Sequence, residues 1–247
     1  MSLSDLFRRR KEDADADTGA GDAPVFPTKA LAKFLASLHA REQPVLIDLG
    51  PVVGPNVNFF GEQLGCKIFV EDVSKDIDRH VRDGHVADLP AFFKQRFPQP
   101  DASVDGILCW DVFDYLDKAS AQSLAQQLTR ILRPEGAVLA FFNTTEAAPT
   151  SKPVYTKHVV VDPATVQHRT YAAARGKQKP LNNRDIQRMF EPLRITEQFL
   201  LKTNTREVLF RKPKEQGGRG EGQGGRGEGA GLSQEKVLRT EASRLLD

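Results

Sequence analysis

The 247-residue chain has little of several things that would narrow its function quickly. It has two cysteines, Cys66 and Cys109, each inside an apolar segment and far apart in sequence. Such a pair makes neither a disulfide framework nor a metal-ligand cluster, and it fits a cytoplasmic protein with reduced thiols. Apolar runs are short: none approaches the roughly 18 residues that span a bilayer, so membrane insertion is not expected. The first residues, MSLSDLFRRRKEDADAD, carry charge with no apolar stretch behind it, and no secretory signal is read there. Charge of one sign is also missing. The 35 basic and 33 acidic residues leave a formal net charge of +2, which argues against a surface built for nucleic acid or anionic lipid.

What is present divides the chain into four parts. Residues 1–24 hold a basic cluster, Arg8 to Lys11, followed by alternating Asp and Ala, and read as a flexible N-terminal arm. Residues 214–231 contain the heptapeptide QGGRGEG twice, a Gly/Arg-rich composition that reads as a linker. Residues 232–247 have helix-forming composition with a partial apolar stripe. The Arg-Gly repeats do not read as a nucleic-acid tail, because Glu221 and Glu228 neutralise Arg219 and Arg226 and no aromatics interleave.

Residues 25–213 carry the folded pattern. Leu31, Phe34, Leu35 and Leu38 mark an amphipathic helix, and Pro44 to Asp48 a buried strand. Gly54-Pro55-Asn56 opens a second helix, with proline in the first turn, where its missing N–H costs nothing, and Gly65 fits the stop of that helix. Cys66–Val70, Asp105–Trp110 and Ala137–Phe142 are further strands, the last two joined by a helix with Leu124, Leu128, Ile131 and Leu132 on its inner face. Strands alternating with helices imply parallel pairing through right-handed crossovers. Arg194–Lys202 and Arg206–Lys212 are separated by so few residues that only an antiparallel hairpin can join them. The expected fold is α/β: a doubly wound, Rossmann-like, mostly parallel sheet with one reversed strand at its end.

Leu46-Ile-Asp-Leu-Gly50-Pro-Val-Val-Gly54-Pro-Asn56 places an acid, a glycine turn and a helix N-terminus at the carboxyl end of a strand, where an open parallel sheet binds nucleotides. The next strand ends Phe69-Val70-Glu71-Asp72, so an acid stands beside that loop. Asp72 either accepts hydrogen bonds from ribose hydroxyls or caps the following helix, with Glu71 in its place if the register differs by one.

These motifs together resemble the class I S-adenosylmethionine-dependent methyltransferases, of the broad small-molecule (type 11) group. VLIDLGPVVG is similar to the family's first motif, FVEDVS to its second-strand motif, VDGILCWDVFDYLD to its fourth strand and following loop, and LTRILRPEGAVLAFF to its fifth-strand approach. The resemblance covers residues 44–143, with weaker support to residue 212. It implies a seven-stranded sheet with an antiparallel terminal strand and S-adenosylmethionine as cofactor, bound by Asp48, Gly50, Gly54, Asn56, Asp72, Val73, Asp88, Leu89, Cys109 and Trp110. It implies methyl transfer to a small-molecule acceptor, with Asp111, Asp114 and Tyr115 as candidate bases in the loop after the fourth strand. Two positions depart from the family: Val52 stands where a glycine is usual, and His85, flanked by Asp83 and Asp88, stands where an adenine-contacting acid is common.

KHVVVDPATVQHRTY reads as a hairpin turning at Asp162-Pro163 inside residues 144–180, an insertion placed to cover the site, with His158, His168, Tyr155 and Tyr171 on it. Two other readings accompany the methyltransferase. One is a non-catalytic adenosyl-binding module. The other is an NAD-dependent oxidoreductase, disfavoured because Gly50-x-x-x-Gly54 does not match G-x-G-x-x-G.

Overall fold

The computed structural model describes residues 23–146 and 152–214. The expected arm over residues 1–24 (all but its last two residues), the linker at 214–231 (all but its first) and the helix at 232–247 lie outside the described residues. In chain order the elements are β1 (Val25–Pro27), α1 (Ala30–His39), β2 (Val45–Asp48), α2 (Gly54–Val57, running into a wider turn over Asn58–Gln63), β3 (Lys67–Val70), α3 (Val73–Arg82), α4 (Leu89–Phe93), β4 (Val104–Trp110), α5 (Lys118–Ile131), β5 (Leu132–Asn143), β6 (Val154–Asp162), β7 (Thr165–Ala172), α6 (Asn183–Met189), β8 (Arg194–Leu200) and β9 (Thr205–Arg211).

The main sheet runs β3-β2-β4-β5-β9-β8. Strands β3, β2, β4 and β5 pair in parallel, and β9 is antiparallel to both β5 and β8. The reversed strand is thus last in the sequence but second from the edge in space. Among the described residues the sheet has six strands, where seven were expected. Residues between α3 and β4 fold as a 3₁₀ turn (Val86–Asp88) and α4, where Leu89 and Phe93 are fully buried, instead of adding a strand beside β3.

Alternation along the strands builds a core on each face of this sheet. Ile47, Ile107, Cys109, Val138 and Ala140 face α3, α4, α5 and α6. Their neighbours Leu46, Leu108, Trp110, Leu139 and Phe141 face α1, Phe60 and a second, three-stranded sheet of order β1-β7-β6. Local chemistry ends the helices where the sequence signals it. Asp117 accepts from Ser120 N at 2.9 Å as the N-cap of α5, and Asn182 accepts from Asp185 N at 2.9 Å at α6. Gly65 has φ +65°, the left-handed stop that glycine adopts without strain. Glu207, 1% exposed on β9, accepts from Lys29 N and Ala30 N, both at 2.8 Å, so the reversed strand caps the first turn of α1. No helix among the described residues is long and apolar enough to cross a membrane.

The chain leaves β2 toward β3 on one side and reaches β4 on the other. The carboxyl ends of β2 and β4 therefore flank the switch point at which an open α/β sheet offers a crevice. The β6–β7 hairpin turns at residues 163–164, as read from Asp162-Pro163.

Candidate functional site

Asp48 ends β2, 1% exposed, and its Oδ1 accepts from Gly50 N at 2.9 Å and from Trp110 Nε1 at 2.7 Å. Burial strips water from the carboxylate and raises its pKa to about 6, against the opposing pull of those donors. Gly50 is needed for space: a Cβ there would stand 3.0 Å from Trp110 Cδ1 and 3.2 Å from Asp48 Oδ1. Trp110 closes β4 with φ +47°, a left-handed conformation that a bulky residue adopts only under constraint. Two constraints are visible: the bond to Asp48, and stacking on His158 of β6 with ring centroids 5.0 Å apart and planes 1° from parallel.

Above this floor lies a narrow cleft, partly open to solvent, lined by Leu49, Gly50 and Pro51 on one side and by Ser74, Ile77, Asp111 and Val112 on another. Trp110, Tyr115, Tyr155 and Tyr171 supply its rings, so the chain's one tryptophan and all three tyrosines meet at a single place. Tyr155 and Tyr171 come from β6 and β7, and each ties the hairpin to α3. The Tyr155 hydroxyl donates to Asp78 Oδ1 at 2.8 Å, and the Tyr171 hydroxyl lies 2.8 Å from Ser74 Oγ. Asn56, 2% exposed, clips the same hairpin from α2. Its amide donates to His158 O at 2.8 Å, and its oxygen accepts from Val160 N at 2.8 Å.

Asp72 is the N-cap of α3: its Oδ1 accepts from Lys75 N at 3.3 Å and from the Ser74 hydroxyl. Its Oδ2 is buried without a hydrogen-bond partner, with Lys75 Nζ 3.5 Å away. Glu71, the alternative acid, is engaged elsewhere: Arg96 donates to it at 2.7 Å while also gripping Asp76 at 2.7 Å.

On the far side Lys177 Nζ donates to Asp111 Oδ2 and to Asp114 Oδ2, both at 2.9 Å. Burial alone would raise Asp111, but Lys177 overrules it and holds this acid below the usual carboxylate range. Asp114, which also accepts from Asn143 N at 3.0 Å, is raised to about 6 because burial outweighs Lys177. The lysine itself is held above its ordinary value by the two acids despite burial. Tyr115 donates to Val154 O at 2.8 Å and is pushed upward by burial, so its hydroxyl stays protonated and occupied. Burial lowers His158 to about 4, leaving it neutral at pH 7.

The fold therefore brings Asp48, Gly50, Trp110, Asp111 and Tyr115 to one cleft, with Asp72 one side chain behind Ser74. It places the other expected residues differently. Val73, Leu89 and Cys109 are fully buried core residues, Asp88 is exposed and paired with His85 at 3.1 Å, Gly54 begins α2 with open space around it, and Asn56 clips the hairpin while its side chain also bears on the Asp48 carboxylate. Lys177 was not foreseen, and no local signal marks it. It reaches Asp111 and Asp114 across 66 and 63 residues.

No protein-family model and no curated protein matches the sequence. Among solved structures, the chain is similar to the PH0226 protein of Pyrococcus horikoshii OT3 (13% identity, TM-score 0.46, covering 74% of this chain and 88% of that one). It is also similar to the 1,6-didemethyltoxoflavin-N1-methyltransferase of Burkholderia thailandensis with bound 1,6-didemethyltoxoflavin and S-adenosylhomocysteine (16%, 0.43, 85% and 87%). A third is the CcbJ methyltransferase of Streptomyces caelestis (14%, 0.42, 74% and 93%). The four parallel strands followed by a reversed β9 are the arrangement expected from the alternation of strands with helices and from the short 194–212 hairpin. The chain has a Rossmann-like α/β fold. The cleft beside Gly50 is the crevice at the switch point of its sheet.

Proposed function

We propose that the chain binds S-adenosylmethionine in the cleft over Leu49–Pro51 and transfers its methyl group to a small-molecule acceptor that enters beneath the β6–β7 hairpin. The observation that carries this reading is the buried Asp48 carboxylate, fixed against Gly50 at the switch point of the sheet. The residues present fit an adenosyl ligand at one further point. The unpartnered Oδ2 of Asp72 is the kind of acceptor a ribose hydroxyl satisfies. In this reading Asp48 orients the methionine portion, Gly50 lets the ligand approach the backbone, and Asp72 holds the ribose. The cofactor supplies an already activated methyl group, so the chain's work is positioning and exclusion of water. Asp111, held ionised by Lys177 and lining the cleft, takes a proton from acceptors that must lose one. The hairpin acts as the cover that shapes acceptor choice.

A second reading is a non-catalytic adenosyl-binding module. It is favoured by one observation: the Trp110 indole, bonded to Asp48, covers Gly50 in a site where Val52 already replaces a glycine.

Calorimetry with S-adenosylhomocysteine and with NAD tests the proposal. The expected result is saturable binding of the former, weakened at least tenfold by Asp72→Ala. Binding of NAD in its place contradicts it, and binding without turnover across a broad acceptor panel favours the second reading.

A further inference from the structure

The cleft is aromatic and acidic at once, and among the described residues no basic side chain is part of its wall, though two lysines lie over its rings. Aspartates stand behind its rings: Asp48 accepts from Trp110 Nε1 at 2.7 Å, and Asp78 accepts from the Tyr155 hydroxyl at 2.8 Å. Donation to a carboxylate enriches a ring's π face, which favours a cation laid against it. Two lysines already make this contact, with Lys177 Nζ 5.5 Å from the Tyr115 centroid and Lys157 Nζ 5.4 Å from that of Tyr171. Lys177 adds no net positive charge, since two carboxylates share it.

Asp111 presents an unsatisfied end. Its Oδ2 is held by Lys177, while Oδ1 faces His158 Nδ1 across 3.9 Å, too far for a hydrogen bond. That imidazole is 3% exposed and its Nδ1 has no hydrogen-bond partner. Asp111 lines the cleft, so its Oδ1 can accept from a donor group placed there.

We infer that the acceptor recognised by this cleft is an arylalkylamine, its ring packed among the tyrosines and its ammonium group directed to Asp111. Aromatic carboxylates and phosphate esters meet the opposite field, because Asp111 lines the cleft and Asp48 lies buried beneath it. The inference rests on the reading of the cleft as the acceptor side of a methyltransferase.

Three probes with the same phenethyl body and different end groups test it: phenethylamine, 2-phenylethanol and 3-phenylpropanoate. They are titrated against the full chain at pH 7, with and without saturating S-adenosylhomocysteine, reading the fluorescence of Trp110. The expected order is amine, then alcohol, then acid, with at least tenfold between first and last. Asp111→Asn is expected to weaken the amine at least fivefold and leave the alcohol within twofold. If that variant does not fold, the wild-type ranking alone decides. Equal affinities, or a preference for the acid, overturn the inference. Absence of S-adenosylhomocysteine binding overturns the cofactor reading and is scored separately from the ranking of the probes.

Discussion

Replacing Asp48 with asparagine keeps the shape of the site and removes its charge. The amide oxygen can still accept from Gly50 N and Trp110 Nε1, so the two bonds at 2.9 and 2.7 Å have a partner in both proteins. What changes is the cost of ionisation. In the folded chain Asp48 titrates at about 6 against an ordinary value of 3.8, mainly because burial disfavours the charged form. A carboxyl raised in the folded state keeps its proton there after the unfolded chain has lost it. Between about pH 4 and 6 the native state binds more protons than the unfolded one, and stability falls as pH rises through that window. A shift of about two units corresponds to roughly 3 kcal/mol. Asparagine does not titrate, so Asp48→Asn should gain roughly 3 kcal/mol relative to wild type between pH 4 and pH 7. In a chain of this size that is a relative rise of about 6–12 °C in melting temperature. Urea denaturation of both proteins at several pH values measures the difference, and titrations common to both, such as those of Asp114 and His158, cancel in it. A difference that stays within 1 kcal/mol across the range would refute the account of Asp48 as an acid kept ionisable against its burial. The same substitution should abolish S-adenosylhomocysteine binding, because a group retained at a cost in stability is the pattern of a functional site.

Asn56→Ala strands the His158 carbonyl and the Val160 N–H inside the protein; at about 1–3 kcal/mol for each unsatisfied group, the loss should be roughly 2–5 kcal/mol, seen in denaturant midpoints and in faster amide exchange across β6. A loss below 1 kcal/mol would show that the hairpin does not depend on this clip. Lys177→Met leaves two buried carboxylates without their cation and should cost about 3–5 kcal/mol at pH 7. That cost should shrink toward pH 5, as the pair takes up a proton; a cost independent of pH would contradict the ion-triad description.

Much of the architecture was legible because the signals are local. The short apolar runs Asp105–Trp110 and Ala137–Phe142, the glycine stop at Gly65 and the proline in the first turn of α2 act within a few residues, and each element stands where those signals place it. The hairpin turn at Asp162-Pro163 was legible for the same reason. The seventh strand was not, because Leu89 and Phe93 bury equally well from a short helix. At the site, the loop from Asp48 to Gly50 was readable, while the chemistry around it was not. Lys177 reaches its acids across more than sixty residues, Asn56 is occupied by a strand about a hundred residues on, and Glu71 is taken by Arg96. Asp72 caps α3, one of its two readings, and its role toward a ribose remains a proposal. Pairing of this kind depends on the tertiary fold and leaves no periodicity behind.

Trp110 is the chain's only tryptophan and lies against both Asp48 and the cleft, so its emission reports the site without a label. Titration of S-adenosylhomocysteine into the wild-type chain, followed by tryptophan fluorescence, is the most direct test of the central claim. The account predicts a saturable change in emission that is lost in Asp48→Asn. Emission unchanged up to millimolar ligand, with calorimetry showing no heat of binding, would contradict it.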